Sequence, residues 1–342
     1  MTRRSLYFVA PGEVDVRHEA IGEPAVDEVR VKTETSAISP GTELLIYNDA
    51  VPSDLAADVH LDALSGSLSY PLQYGYATVG RIEAVGDAVD DSWLDRRVFA
   101  FHPHESHFFA TPDELHPIPD GISAAAATLL PTVETACTLA QDGNPRLGER
   151  VVVFGQGLIG LATTALLGQF PVELITVDPI ERRRELSEQL GATESVHPDT
   201  LGDAVQLPGG STGSEPQGAD LCYELSGNPA ALNSAVEATG YDGRIIVGSW
   251  YGTKLTELDL GGRFHRSRIL ISSSQVSTID PSLRGRWDRA RRMALAWDRL
   301  ADLPVDELLT DQYHIESAPD AYARLADNAD DTLGIRFTYD RP

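Results

Sequence analysis

VVVFGQGLIGLA, Val151–Ala162, decides how this chain is read. An apolar β-type run, Val151–Phe154, passes straight into Gly155-x-Gly157-x-x-Gly160, and helix-prone residues follow from Leu158 and Ile159. In a strand–turn–helix the three glycines do different things. The first allows the tight turn, the second lets a diphosphate approach the backbone, and the third lets the helix pack on the strand. The amides and the positive end of the helix then suit the diphosphate of a dinucleotide. Asp178 ends the next β-type run, VELITVD, 18 residues beyond Gly160. An acid there accepts hydrogen bonds from the adenosine ribose and repels a 2′-phosphate, so NAD is expected ahead of NADP. Arg182, Arg183 and Arg184 read first as a solvated helix face. Arg183 is kept as a cofactor candidate, because an arginine folding back over Asp178 would admit NADP.

Outward from this stretch, strand-like and helix-like segments alternate. VELITVDP leads to IERRRELSEQLGA, then ADLCYELSG to PAALNSAVEAT, and then GRIIVGSWY. Such alternation predicts βαβ units around a parallel sheet, an α/β fold. Ser226, Val247, Gly248 and Ser273 stand at or near the ends of its later strands, where a cofactor's path runs. The first third reads differently. RSLYFVA, EVRVKTETSAI, ATVGRIEAVG and RRVFAF are β-type runs separated by turn residues, which predicts an irregular β unit. Residues 48–74 read as a long loop over a site, and the Gly/Ser-rich residues 202–220 as a surface loop. PSLRGRWDRARRMALAWDRL reads as an Arg-rich helix and LGIRFTYD as a closing strand.

At 342 residues and 42% hydrophobic composition the chain is long enough for two cores. No apolar run reaches membrane-spanning length, and the N-terminus lacks the apolar core of a signal peptide, so a cytoplasmic protein without membrane partners is expected. The net charge of −25 argues against nucleic acid as a partner. Lys32 and Lys254 are the only lysines; acid-rich, lysine-poor composition predicts a halophile's protein, whose repulsion is screened by salt. Cys137 and Cys222, the two cysteines, read as reduced core residues.

With a β-rich half ahead of a central glycine loop, the chain resembles the medium-chain dehydrogenase/reductase superfamily over nearly its full length. APGEVDVRHEAIGEPAVDEVRVKTETSAIS, YGYATVGRIEAVGDAV, the glycine-loop unit, ERRRELSEQLGATESV and DLCYELSGNPAALNSAVEATGYDGRIIVGSW carry the likeness. SAISPGTELL, WYGTKLTELDLGGRFHRSRILISSSQV and FAFHPHESHFF are most similar to the bacteriochlorophyllide-a dehydrogenase-like branch, which oxidises a hydroxyethyl group on a tetrapyrrole with NAD. The resemblance implies a GroES-like β-rich catalytic domain over 1–125 and 286–342. It implies a Rossmann, doubly wound parallel-sheet domain over 126–285, and a homodimer. It also implies hydride transfer between a nicotinamide cofactor and an alcohol or ketone, a small molecule that is bulky or ring-bearing in that branch. An ene or quinone reductase and a non-catalytic NAD-binding sensor are the other readings.

Zinc-containing members place Cys, then His-Glu, then Cys, Asp or Glu where this chain has Ser39, Tyr76–Ala77 and the neighbourhood of Thr132–Glu134. Serine and tyrosine hydroxyls are poor zinc ligands, so no zinc and no other metal is expected. His102, His104 and His107 of HPHESH form the rival ligand set, with alternation placing His102 and His104 on one face. Without a metal, the substrate oxygen needs a proton donor or acceptor. The candidates are His102 or His104 as acid/base, Tyr76 as donor or cavity filler, Thr42 and Glu43 as a relay, and Glu134, a carboxylate in an apolar helix start that needs a partner.

Overall fold

The computed structural model describes residues 1–52, 62–64, 66–205, 218–327 and 330–340. Much of the two expected loops, 48–74 and 202–220, lies outside the described residues. The β-type runs of the first third become β1 (Thr2–Ala10), β2 (Glu13–Ala20), β3 (Val29–Ala37), β4 (Thr78–Val85), β5 (Arg97–Ala100), β6 (His107–Ala110) and β7 (Leu115–Pro117). The middle of the chain supplies β8 (Arg150–Phe154), β9 (Glu173–Val177), β10 (Glu194–Val196), β11 (Ala219–Glu224), β12 (Thr239–Val247) and β13 (Leu270–Ser273). β14 (Asp311–His314) and β15 (Ile335–Thr338) follow.

Two compact units result, one of residues 1–131 with 304–342, the other of 132–303. The division expected after 285 falls after 303, because the helix Arg289–Leu300 belongs with the second unit. That helix is shorter than the segment 281–300 suggests. Asp288 starts it by accepting the Arg291 amide, and the residues before it form turns.

In the first unit β1 and β2 pair antiparallel, and a seven-stranded sheet runs β14-β15-β3-β4-β5-β7 with β6 paired to β3. β3 alternates buried and less buried residues, as expected of a strand with two unlike faces. The last strand, β15, lies inside the sheet between β14 and β3. The core on one side gathers Leu6, Phe8, Ile38, Ile46, Tyr322 and Phe337. Two helices of eight or more residues in this unit were not foreseen. Pro40–Tyr47 starts because Ser39 is extended and Pro40 has its φ preset for the first turn. Ala318–Asp327 buries Ala318, Ala321, Tyr322 and Leu325, spaced at helical intervals.

In the second unit the six-stranded sheet has the order β10-β9-β8-β11-β12-β13, all parallel. β8 is buried at every position, the signature of a strand covered on both faces. Val152 packs with Ile175, Cys222 and Ile245, while Val151 and Val153 pack on the other face with Leu174, Leu221 and Tyr223. Strand order reverses between β8 and β11, the place where a doubly wound sheet opens a crevice for a ligand. The α/β class expected from the alternation is therefore observed. Both cysteines are buried, and burial pushes each thiol up to about 12.

Candidate active site and nucleotide crevice

In the first unit the helix Pro40–Tyr47 and the turn before β4 bring three hydroxyls together. Tyr76 Oη lies 2.5 Å from Ser39 Oγ and 3.2 Å from Thr42 Oγ1. A phenol has one proton to donate, so one neighbour accepts it and the other is placed to donate back. Ser39 is the residue before the first helical turn, yet its side chain makes no capping bond. Glu43 accepts the Ser39 amide on Oε1 at 2.7 Å. The Ser39 hydroxyl, which caps no amide, meets Tyr76.

Glu43 and His104 are fully buried beneath this trio. Glu43 Oε2 lies 3.1 Å from His104 Nε2 and accepts the Tyr322 hydroxyl at 2.5 Å. The other ring nitrogen, Nδ1, meets Ser36 Oγ at 2.7 Å, and Ser36 Oγ meets the Tyr339 hydroxyl at 2.6 Å. With a neutral His104 the protons run from Tyr339 to Ser36, from Ser36 to His104 and from His104 to Glu43. A Cβ on Gly75, at φ +112°, would stand 2.6 Å from His104 Nε2, so the imidazole rests on the backbone next to Tyr76. Burial first, then Glu43, pushes the Tyr322 hydroxyl well up, and burial pushes the Tyr339 hydroxyl up, so both remain donors.

The histidines of HPHESH are dispersed. β5 ends at Ala100, and Pro103 interrupts the alternation that was expected to align His102 with His104. His102 stacks on Phe108 at 4.0 Å between centroids, with Nδ1 3.2 Å from the Pro103 carbonyl. His107 Nδ1 meets Ser106 Oγ at 3.1 Å. Among the described residues no three of His, Cys, Asp and Glu come together as a metal would require. Ser39 and Tyr76, at two of the three positions compared with zinc-containing members, offer hydroxyls, which are poor zinc ligands, and the carboxylate near the third, Glu134, is bound to Arg292. Glu134, proposed from sequence for proton handling, lies in the second unit and is engaged by Arg292. The guanidinium donates to Glu134 Oε1 at 2.8 and 3.2 Å and to the carbonyls of Thr278, at 2.9 Å, and Val276. Both side chains are buried, so the partner that a buried carboxylate demands is a structural one.

The glycine loop behaves as its spacing implies. Gly155 has φ +89°, and a Cβ there would stand 2.6 Å from the Ser226 backbone. A Cβ on Gly160 would stand 1.9 Å from the Gly155 carbonyl. On Gly157 it would meet nothing within 4 Å, which leaves the approach to the helix open. Gly157 offers no side-chain cap to the helix Leu158–Leu167, whose first turn buries Leu158 and half-buries Ile159. The first-turn amides therefore suit a diphosphate. Asp178 is buried; it accepts the Gln156 amide at 2.7 Å and the Ile180 amide at 2.9 Å. Its carboxylate thus shapes the glycine loop, and its further lone pairs remain suited to ribose hydroxyls. Arg184 donates to the Asp178 carbonyl at 2.9 Å.

Ser226, Val247, Gly248 and Ser273 all stand at this end of the sheet. Val247 closes β12 beside Glu224 and Ser273. Gly248 donates to the Glu224 carbonyl at 3.0 Å. Sequence reading missed Ser36, Tyr322, Tyr339, Arg292 and Glu224. Only Glu224 left a local trace, as a carboxylate ending the apolar run ADLCYE. The others meet their partners across long stretches of chain.

Residues 158–294 match a sequence family described as zinc-binding dehydrogenase. D-guloside 3-dehydrogenase of Escherichia coli K12 is 25% identical over 331 residues, spanning 91% of this chain and 93% of that one. (R,R)-butanediol dehydrogenase of Bacillus subtilis 168 is 25% identical over 78% of this chain and 81% of its own. Among solved structures, a short chain alcohol dehydrogenase of E. coli CFT073 complexed with NADH superposes with a TM-score of 0.78 at 19% identity, over 99% of both chains. Over most of its length the chain is thus similar in sequence to named dehydrogenases that act on alcohols, and it shares the fold of a solved alcohol dehydrogenase.

Proposed function

We propose that the protein is a zinc-independent, NAD-dependent oxidoreductase interconverting an alcohol and a ketone. The hydroxyl trio of Ser39, Thr42 and Tyr76 carries this reading, because Ser39 and Tyr76 fall at positions that the resemblance gives to metal ligands and here are joined, with Thr42, by hydrogen bonds. Gly157, the first turn of Leu158–Leu167 and Asp178 would hold the dinucleotide. NAD is favoured because an acid, Asp178, ends β9. The cofactor, when bound, supplies hydride exchange at the nicotinamide ring.

The chain's own residues handle the proton. Tyr76 holds it at Oη, giving it to a carbonyl oxygen in reduction or taking it from a hydroxyl in oxidation. Thr42, which is partly exposed, passes it toward solvent. Ser39 fixes the direction of the phenol, and Glu43 with His104 holds the backbone from which Ser39 and Tyr76 project. The two relatives, named for guloside and butanediol dehydrogenation, favour a hydroxyl-bearing small molecule as substrate.

Turnover of a panel of secondary alcohols and ketones, with bound metal quantified, tests the proposal. Tyr76→Phe should lower kcat by about 10²-fold or more, with NADH affinity retained. Full activity in Tyr76→Phe, or activity that tracks stoichiometric zinc, would sink it.

A further inference from the structure

Glu224 is a fully buried carboxyl group outside the proton-handling cluster. It ends β11 beside Phe154, the last residue of β8, at the point where strand order reverses. One oxygen accepts both the amide of Ser226, at 2.8 Å, and the Ser226 hydroxyl. The other accepts the Tyr251 hydroxyl at 2.6 Å. Burial first, and then this bond to Glu224, pushes the Tyr251 hydroxyl up, so it stays a donor.

The effect is to commit the turn after β11. The Leu225 amide donates to the Phe154 carbonyl at 2.8 Å, and the Ser226 amide to Glu224. The Gly227 amide donates to Ser249 Oγ at 2.9 Å, and the Asn228 amide to Ser226 Oγ at 3.1 Å. Lys254 Nζ, one of the two lysine ammoniums of the chain, sits on the Gly227 carbonyl at 2.9 Å. Every backbone donor from 225 to 228 is thus used inside the protein. Such a turn meets a ligand through acceptors and van der Waals contact, and it has no amide to give a phosphate. The opposite wall, at Gly157 and Leu158, has the reverse character.

This sorting fixes the direction of a dinucleotide lying across the crevice. Asp178, after β9, marks the adenosine side, and the helix Leu158–Leu167, after β8, marks the diphosphate. The remaining half then runs over the turn after β11, which has no amide to offer and whose Gly227 carbonyl carries the Lys254 ammonium. We propose that Glu224 is a positioning residue for the nicotinamide half: it commits the Ser226 amide directly and, by holding the Ser226 hydroxyl, orients the group that takes the Asn228 amide, and with the Phe154 carbonyl and Ser249 it leaves that turn no free amide. The inference rests on the dinucleotide-binding reading given above.

Equilibrium binding of NADH and of AMP separates the two halves. Glu224→Ala should weaken NADH about tenfold, about 1.4 kcal/mol, while AMP stays within about twofold of the unaltered protein. Glu224→Gln should restore most of the loss, since an amide oxygen still accepts from Ser226. Tyr251→Phe should weaken NADH about threefold with AMP unchanged, and it decides the matter if Glu224→Ala does not fold. Parallel weakening of NADH and AMP would show a merely structural role and overturn the proposal. So would unchanged NADH binding in Glu224→Ala, or in Tyr251→Phe should the alanine variant be unfolded. An unaltered protein that binds neither ligand would overturn the dinucleotide reading itself.

Discussion

A helix start usually consumes the side chain that precedes it. At Ser39 the side chain caps no amide and its hydroxyl meets Tyr76, while Glu43 accepts the Ser39 amide. The same scale yields a pH effect at His102. Burial is the main reason its imidazole is held below the ordinary 6.5, with the nearby Glu105 carboxylate pulling the other way. The unfolded chain takes up this proton near the ordinary value, and the folded chain resists until the pH is lower. The contribution to stability is therefore complete above about 6.5 and is lost as pH falls from there through the depressed folded value. His102→Gln should flatten the decline in Tm between about pH 7 and pH 5. His107, also held low mainly by burial, keeps its own share of the slope. An identical slope in the variant would mean that His102 titrates alike in both states.

At the scale of elements, the pair Glu134–Arg292 joins the helix Leu130–Gly143 to the helix Arg289–Leu300. Glu134→Ala strands a buried guanidinium and should destabilise the protein by about 3–5 kcal/mol in denaturant unfolding. Replacing both partners, as Glu134→Met with Arg292→Leu, should recover most of that loss. A single substitution costing less than about 1 kcal/mol would show that solvent reaches the pair. Elements of this kind also mark where sequence reading succeeds. The parallel strands, the glycine loop and the acid after β9 were legible because each is written in a short window as periodicity or fixed spacing. The helix Pro40–Tyr47 was missed because it is short and follows directly on the strand-like run VKTETSAI. The candidate site was half legible. Ser39, Thr42, Glu43, Tyr76 and His104 were named, but what holds them is not local. Tyr322 lies 279 residues from Glu43, and Tyr339 lies 303 from Ser36. No window joins such partners, and only the arrangement of strands in the sheet does.

For the molecule as a whole, the net charge of −25 sets up self-repulsion that dissolved ions screen. Tm should rise steadily with KCl from low ionic strength into the molar range. The rise should be steepest at first, where the screening length shortens most, and chloride keeps salting-out small beside it. A flat profile would show that the carboxylates are already balanced by local partners, as Glu19 is by Arg3 and Glu83 by Arg30.

The position of β15 between β14 and β3 bears on how the protein is born. A ribosome delivers residues 132–303 before it delivers 304–342, so the parallel-sheet unit has all its strands while the other sheet still lacks β14 and β15. Ser36 has waited some 300 residues for Tyr339, and Glu43 nearly as long for Tyr322, by the time the chain closes. The buried cluster around Glu43 and His104 is thus assembled last, and a chain released early would carry a complete parallel sheet beside an unfinished antiparallel one.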